Sequence, residues 1–176
     1  MKKIITLAGS SSKNSINKQL AEYTASLMQG VEVLNLDLND YQLPLYSIDV
    51  ENDHGFPADL LVLDEIIENT DGIILSLAEH NGAYSAAFKN TFDWLSRING
   101  KVWKNKPMLL LSTSPGARGG QSVMDIALSR FPFNGGNIIG STTFPSFHNN
   151  FKDTQVVNLE LNNKLIKLTK DLIKTL

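Results

Sequence analysis

The stretch Leu7-Ala-Gly-Ser-Ser-Ser-Lys-Asn-Ser-Ile-Asn17 joins an apolar run to an amphipathic one. Residues 1–8 have the short apolar pattern of a β-strand, and residues 15–29 carry apolar side chains near helical spacing, with Gly30 as a C-cap. A strand, a hydroxyl-rich loop and a helix N-terminus in this order favour anion binding, because unpaired backbone N–H groups and the helix dipole point at the loop.

The same loop has a second interpretation. Ser and Asn favour helix N-caps whether or not a ligand binds. The loop also lacks both the GxxxxGK[ST] and the GxGxxG nucleotide-binding motifs. Taken alone, it leaves phosphate binding and simple capping open.

Size and charge narrow the class of protein. The 176 residues predict a single domain over 1–176, and a net charge of −2 gives no overall reason to bind nucleic acid or an anionic membrane. Without cysteine there is no disulfide, thiolate metal site or cysteine nucleophile. His54 and His148 lack neighbouring ligands, so we expect no metal site. No signal peptide or membrane-spanning run is evident, which predicts a cytoplasmic protein.

Strand and helix patterns alternate along the chain. This alternation predicts right-handed crossovers and a parallel sheet that is covered on both faces. Residues 40–57 are predicted to form a long loop able to carry a partner or substrate surface. Strands are predicted at 31–36, 71–77, 107–113 and 137–144, and helices near 57–69, 84–98, 119–130 and 153–175.

Turn-rich polar segments follow three of the predicted strands. They are the first loop, residues 78–84 and residues 114–120. In open parallel sheets, ligands bind beyond the carboxyl ends of the strands where strand order reverses. A sheet ordered 2-1-3-4-5 would bring the three segments together, which favours a phosphate-bearing ligand over capping alone.

These segments resemble those of the NAD(P)H-dependent FMN reductases, a family that includes quinone- and azo-reducing enzymes. Residues 9–17 are similar to its GSxRxxSxN loop, and residues 79–97 to its PEYNGxxPxxLKNxxDWxSR segment. Residues 106–120 resemble the third loop, and Leu43-Pro-Leu-Tyr46 adds a smaller match. The likeness spans most of residues 1–130, and the long second segment is the specific one.

The resemblance implies a flavodoxin-like α/β fold, a three-layer sandwich with a five-stranded parallel sheet in the order 2-1-3-4-5. It implies FMN as cofactor, NAD(P)H as substrate and a small-molecule acceptor such as free flavin, a quinone or an azo compound. Hydride would pass through flavin N5, and no catalytic side chain is assigned. A homodimer or homotetramer is implied as well.

The same resemblance implies FMN contacts in all three loops. The phosphate end involves the first loop, the flavin ring lies along the second, and its pyrimidine edge is near the third. The implied contacts are Ser10, Ser12, Ser15, Ile16 and Asn17; Ala78, Glu79, His80, Asn81 and Gly82; and Ser114, Pro115, Gly116 and Gly119.

Three residues depart from the family pattern. Ser12 replaces an arginine, which removes a charge-assisted phosphate contact and predicts weak flavin binding. His80 replaces a tyrosine. Ser85 replaces a proline, and we expect this change to loosen the start of the following helix.

Other interpretations stay open. His80 is either a proton donor or a packing residue, Arg118 either contacts an NADPH phosphate or faces solvent, and a structural role is favoured for Glu79. The spacing of residues in the predicted helix does not decide which way the side chain of Trp94 faces. Two alternative functions are an electron carrier like flavodoxin and a regulatory module that has lost its cofactor.

Overall fold

The computed structural model describes residues 1–176 as eight strands and seven α-helices, with short 3-10 turns at Leu38–Asp40 and Phe131–Asn134. None of the helices has the length and hydrophobicity needed to cross a bilayer. In chain order the elements are β1 (Lys2–Gly9), α1 (Ile16–Ser26), β2 (Val31–Leu36), α2 (Ile48–His54), α3 (Ala58–Glu68), β3 (Gly72–His80), β4 (Ala83–Tyr84), α4 (Ala86–Ile98), β5 (Pro107–Thr113), α5 (Gln121–Arg130), β6 (Asn137–Phe144), α6 (Phe147–Asn150), β7 (Phe151–Lys152), β8 (Gln155–Val156) and α7 (Leu159–Ile173).

Five parallel strands form the main sheet in the order β2-β1-β3-β5-β6, which confirms the predicted order 2-1-3-4-5. The short β4 pairs antiparallel with the end of β3. In the register of the sheet, Gly9 lies opposite Leu77, and Ala78 lies opposite Thr113. The carboxyl ends of β1, β3 and β5 therefore reach the same edge, and the three loops begin there.

Helices cover both faces of the sheet, so the predicted three-layer α/β sandwich is confirmed. One face packs against α3, α4 and α5, and the other against α1 and α7. Phe88, Phe92 and Leu95 of α4 are buried in the first core. Trp94 is also fully buried, and its indole N–H donates to the carbonyl of Pro44 at 2.8 Å.

The predicted loop at 40–57 contains helix α2, which begins after Ser47. The hydroxyl of Ser47 accepts the N–H of Val50 at 3.1 Å and so caps the helix. Glu51 of this helix forms two hydrogen bonds with the Arg97 guanidinium of α4, at 2.7 and 3.1 Å. The segment is therefore held against α4 and is not a free loop.

The last helix begins later than predicted. The prediction of helix over residues 153–158 is wrong, because β7 and β8 form a hairpin at 151–156 whose turn residues Asp153 and Thr154 have positive φ angles of 48° and 63°. The side chain of Asn158 then caps α7 by accepting the N–H of Leu161 at 3.1 Å.

Two other predicted helices also begin later than expected. Tyr84 belongs to β4 rather than to the helix predicted at 84–98, so α4 begins at Ala86. The helix predicted at 119–130 begins at Gln121. Gly119 and Gly120 have φ angles of 58° and 80°, which no residue of a right-handed helix adopts.

Candidate functional site

A cavity of about 270 Å³ opens at the edge where β1, β3 and β5 end. Its lining contains ten of the fourteen predicted site residues: Ser10, Ser12, Ser15, Ile16, Asn17, Ala78, Glu79, His80, Ser114 and Pro115. Asn81, Gly82, Gly116 and Gly119 do not line it. Asn14, Thr113 and His148 line it although they were not predicted.

The first loop presents hydrogen-bond donors at the start of α1. Ser15 is the N-cap, and its hydroxyl oxygen accepts the N–H of Lys18 at 3.2 Å. The N–H groups of Ile16 and Asn17 have no acceptor within the protein. The hydroxyl of Ser10 accepts the N–H of Ser12 at 3.2 Å, which fixes the bend of the loop. Unpaired N–H groups at the positive end of a helix suit an anion.

The side chain of Asn17 ties the first loop to the sheet. It is 2% exposed, and its amide nitrogen donates to the carbonyl of Thr113 at 3.2 Å. Its amide oxygen accepts both the N–H of Thr113 at 3.0 Å and the hydroxyl of Ser76 at 2.7 Å. The amide is thus committed to β3 and β5, which leaves the backbone N–H of Asn17 as its free donor toward the cavity.

Lys18 does not supply charge to the cavity. Its ammonium group lies 2.6 Å from the Asp37 carboxylate, which follows β2. The hydrogen bond to Asp37 raises the pKa of Lys18 above its usual value, against the opposing effect of burial. The pair joins α1 to the end of β2.

The second loop is a tight hairpin rather than an irregular segment. β3 continues to His80, which pairs with Ala83 across the turn residues Asn81 and Gly82. Their φ angles are 52° and 77°, the positive values that a two-residue type I′ turn requires. Asn81 therefore lies at the exposed tip of the hairpin.

Glu79 holds this hairpin against α5. Its carboxylate accepts the N–H of Val123 at 3.0 Å, in the first turn of that helix. A carboxylate is favoured there by the helix dipole. The geometry agrees with the structural role favoured for Glu79.

Tyr84 anchors the other strand of the hairpin to the core. Its ring stacks on Phe131, with ring centroids 6.1 Å apart and planes 11° apart. Burial raises the pKa of Tyr84 to about 12, against an opposing effect of Arg130. The phenol therefore stays protonated at neutral pH.

The expected loosening at Ser85 is wrong. Ser85 is the N-cap of α4, and its hydroxyl oxygen accepts the N–H of Phe88 at 3.1 Å. The same hydroxyl donates to the carbonyl of Gly9 at 2.8 Å, at the end of β1. The hydroxyl of Ser85 therefore caps α4 and joins its start to the end of β1.

The third loop contributes Ser114 and Pro115 to the cavity, whereas Gly119 is buried and does not line it. The carbonyl of Gly119 accepts the Ser112 hydroxyl at 2.9 Å. A Cβ atom built on Gly119 would lie 2.9 Å from backbone atoms of Phe144 and Pro145. Gly119 therefore allows close backbone packing, and the cofactor contact that the resemblance implies for it stays a prediction.

Free backbone donors remain in this loop. The N–H groups of Gly116, Ala117 and Arg118 have no acceptor in the protein. The Arg118 guanidinium, which is exposed, donates to the Ser122 hydroxyl at 3.1 Å. Arg118 therefore lies along the first turn of α5.

His148 is the main cavity residue that sequence reasoning missed. It belongs to α6, which starts just beyond the end of β6. The rule that ligands lie beyond strand ends applies to this strand too, so a signal was present. Nowhere in the structure do three or more His, Asp or Glu side chains gather as metal ligands would.

The arrangement as a whole combines a donor-rich helix start with two further loops at one sheet edge. The helix start can hold a phosphate group. The Asn81–Gly82 hairpin and the exposed part of the third loop can flank a planar group next to it.

Known proteins share both the sequence pattern and the fold. The sequence model of the family described as NADPH-dependent FMN reductase matches residues 2–149. Quinone reductase from Escherichia coli (strain K12) is 33% identical over 117 residues, which cover 66% of this chain and 62% of that protein. The 2-hydroxy-1,4-benzoquinone reductase of a Burkholderia species is 38% identical over 119 residues, which cover 66% of this chain and 63% of that protein.

The aligned region thus spans less than two thirds of the length of both relatives. Among solved structures, the flavoenzyme NAD(P)H:(acceptor) oxidoreductase FerB from Paracoccus denitrificans superposes with a TM-score of 0.79 at 24% identity. The superposition covers 99% of this chain and 96% of that one, so the two share a fold.

Proposed function

The chain belongs to the NADPH-dependent FMN reductase family, and from that premise we propose that it is an FMN-dependent oxidoreductase that uses NAD(P)H to reduce small-molecule acceptors. Quinones are the favoured acceptor class, because the two sequence relatives described above are named as quinone reductases. Free flavin and azo compounds are further acceptors to test.

One observation carries the proposal. Three loops that are distant in sequence meet at one cavity, and the first of them holds the unpaired N–H groups of Ile16 and Asn17. These donors fit the phosphate of FMN. The Ser15 hydroxyl accepts from Lys18, which leaves its own proton free for donation to a phosphate oxygen.

The protein holds and orients the reacting partners. Bound FMN would supply the two-electron redox chemistry between NAD(P)H and the acceptor, and the residues of the three loops would hold and orient it. In this proposal the N–H groups of Gly116 and Ala117, which have no acceptor in the protein, would stabilise negative charge at the pyrimidine edge of the ring. No side chain is required as an acid or base.

The size of the cavity favours an open ring face. Its volume of about 270 Å³ is slightly below the roughly 300–1,000 Å³ of most small-molecule pockets. We propose that the residues around the start of α1 would hold the phosphate end of FMN and that His80 would flank the ring. Nicotinamide and acceptor would then use the same exposed face in turn, which gives ping-pong kinetics.

An anaerobic spectral titration tests the function. FMN is added to the purified full-length chain, followed by NADPH or NADH and then a benzoquinone. We expect a perturbed flavin spectrum, bleaching by the nicotinamide and recovery of colour with the quinone. Bound flavin that ignores NAD(P)H would instead indicate an electron carrier, and no flavin binding would indicate a regulatory module.

Introducing a cation at position 12 is expected to tighten FMN binding. Ser12 lines the cavity and is exposed, so Ser12→Arg adds a guanidinium near the phosphate without burying it. We expect the Kd for FMN to fall about tenfold, measured by quenching of flavin fluorescence. Ser11→Arg is the control, because Ser11 is exposed but does not line the cavity. Equal affinities of the two variants would contradict the proposed phosphate position.

We further propose that residues 1–176 act as one cytoplasmic FMN-binding domain in a homodimer or homotetramer. Large apolar side chains at the surface support assembly: Leu45 is 82% exposed and Phe133 is 71% exposed. Sedimentation analysis with and without FMN distinguishes two subunits from four.

A further inference from the structure

The imidazole of His148 has no hydrogen-bond partner in the protein, although it lines the cavity. The backbone just before His148 has a left-handed residue and two hydrogen bonds to the third loop. Ser146 has positive φ (47°) and ψ (55°), which costs a non-glycine residue free energy. Its N–H donates to the carbonyl of Gly116 at 2.9 Å, and the N–H of Phe147 donates to that of Ser114 at 3.1 Å. These contacts hold α6 against the third loop.

His148 lies on the same side of the sheet as the start of α1. Phe147 and Phe151 belong to the core that α1 and α7 cover, and Phe151 meets Tyr23 of α1 edge-on, with ring centroids 5.6 Å apart. The hairpin that carries His80 packs instead against α5, on the opposite face. Of the two histidines in the cavity, His148 is therefore the one on the side of the α1 N-terminus.

Positive charge is scarce in the cavity. A phosphate monoester carries a charge of about −1.5 to −2 at neutral pH. Lys18 is paired with Asp37, and Lys13 is exposed and does not line the cavity. The lining contains no lysine or arginine, and His80 and His148 are its only side chains with a nitrogen base.

We propose that His148 donates a hydrogen bond from its imidazole to the phosphate of FMN and thereby sets a preference for FMN over riboflavin. This inference rests on the proposed function, because it takes the α1 N-terminus as the phosphate site. Riboflavin has the same ring and ribityl chain but no phosphate, so it isolates the contribution of His148.

The test compares the Kd values of the full-length protein for FMN and riboflavin. In His148→Ala we expect FMN binding to weaken about tenfold while riboflavin binding is unchanged. His148→Lys is expected to keep the preference, because the ammonium group replaces the donor. His80→Ala, in the same cavity, is expected to change both affinities alike, and His54→Ala, on α2, to change neither.

His148 is exposed, so these substitutions should leave the melting temperature unchanged, which is checked for each variant. An unchanged ratio of the two Kd values in His148→Ala would overturn the inference and leave the proposed function intact. If the wild-type protein binds neither flavin, the proposed function fails first and the inference with it.

Discussion

Replacing Gly119 by alanine is expected to lower the free energy of unfolding by about 3 kcal/mol or more. The new Cβ atom would lie 2.9 Å from backbone atoms of Phe144 and Pro145, which have no side-chain freedom to move away. The φ angle of 58° adds about 1–2 kcal/mol for a residue with a Cβ atom. Urea unfolding followed by circular dichroism measures the loss of stability. FMN affinity should also fall, because Pro145 leads directly into α6, whose His148 lines the cavity.

Gly116→Ala is the matched control in the same loop. Gly116 is exposed and lacks a positive φ angle, and a Cβ atom added there would have the Ser114 hydroxyl oxygen as its nearest neighbour, at 3.8 Å. We expect its stability to stay within about 0.5 kcal/mol of wild type. If the two alanine variants unfold at the same urea concentration, close packing of Gly119 is not its role.

The central strands could be predicted because their physical signal is local. β3 and β5 are buried on both faces, so each is a nearly continuous apolar run bounded by polar residues. Alternation with helical patterns then limits the topology, because parallel strands need crossover connections. The meeting of the three loops follows from that topology alone.

Details that depend on distant contacts could not be predicted. Gly119 and Gly116 look alike in the sequence, and their roles are separated by the approach of Phe144 and Pro145, at the end of β6, to Gly119. The hydroxyl of Ser85 likewise depends on the end of β1 for its acceptor, the carbonyl of Gly9.

Some errors arise although a local signal is present. Asn81-Gly82 is a strong two-residue hairpin signal, yet its polar, turn-rich surroundings favour the prediction of a loop. Asn158, whose side chain accepts the N–H of Leu161, is the N-cap that marks the true start of the last helix. His148 comes shortly after β6, and the rule that ligands lie beyond strand ends applies to that strand as well.

Replacing Asn17 by alanine is expected to lower the free energy of unfolding by about 3 kcal/mol and to weaken FMN binding. The substitution leaves the N–H and carbonyl of Thr113 and the hydroxyl of Ser76 without partners in a buried setting. Each such group costs about 1–3 kcal/mol, partly offset by relaxation. Because the amide links α1 to β5, its loss also frees the start of α1 from the third loop, which should weaken binding even in folded protein.

Asn14→Ala separates this buried link from a general loss of polar groups in the loop. Asn14 lines the cavity but is exposed, and its side chain makes no hydrogen bond within the protein. We expect its stability to match wild type in urea unfolding, with only a small change in FMN affinity.

Asn17→Asp keeps the oxygen that accepts from Ser76 and Thr113 but turns a carboxylate oxygen toward the Thr113 carbonyl. The Asn17→Asp variant should therefore be at least as unstable as Asn17→Ala at pH 7. Wild-type stability in either Asn17 variant would rule out the amide as the link between α1 and the sheet.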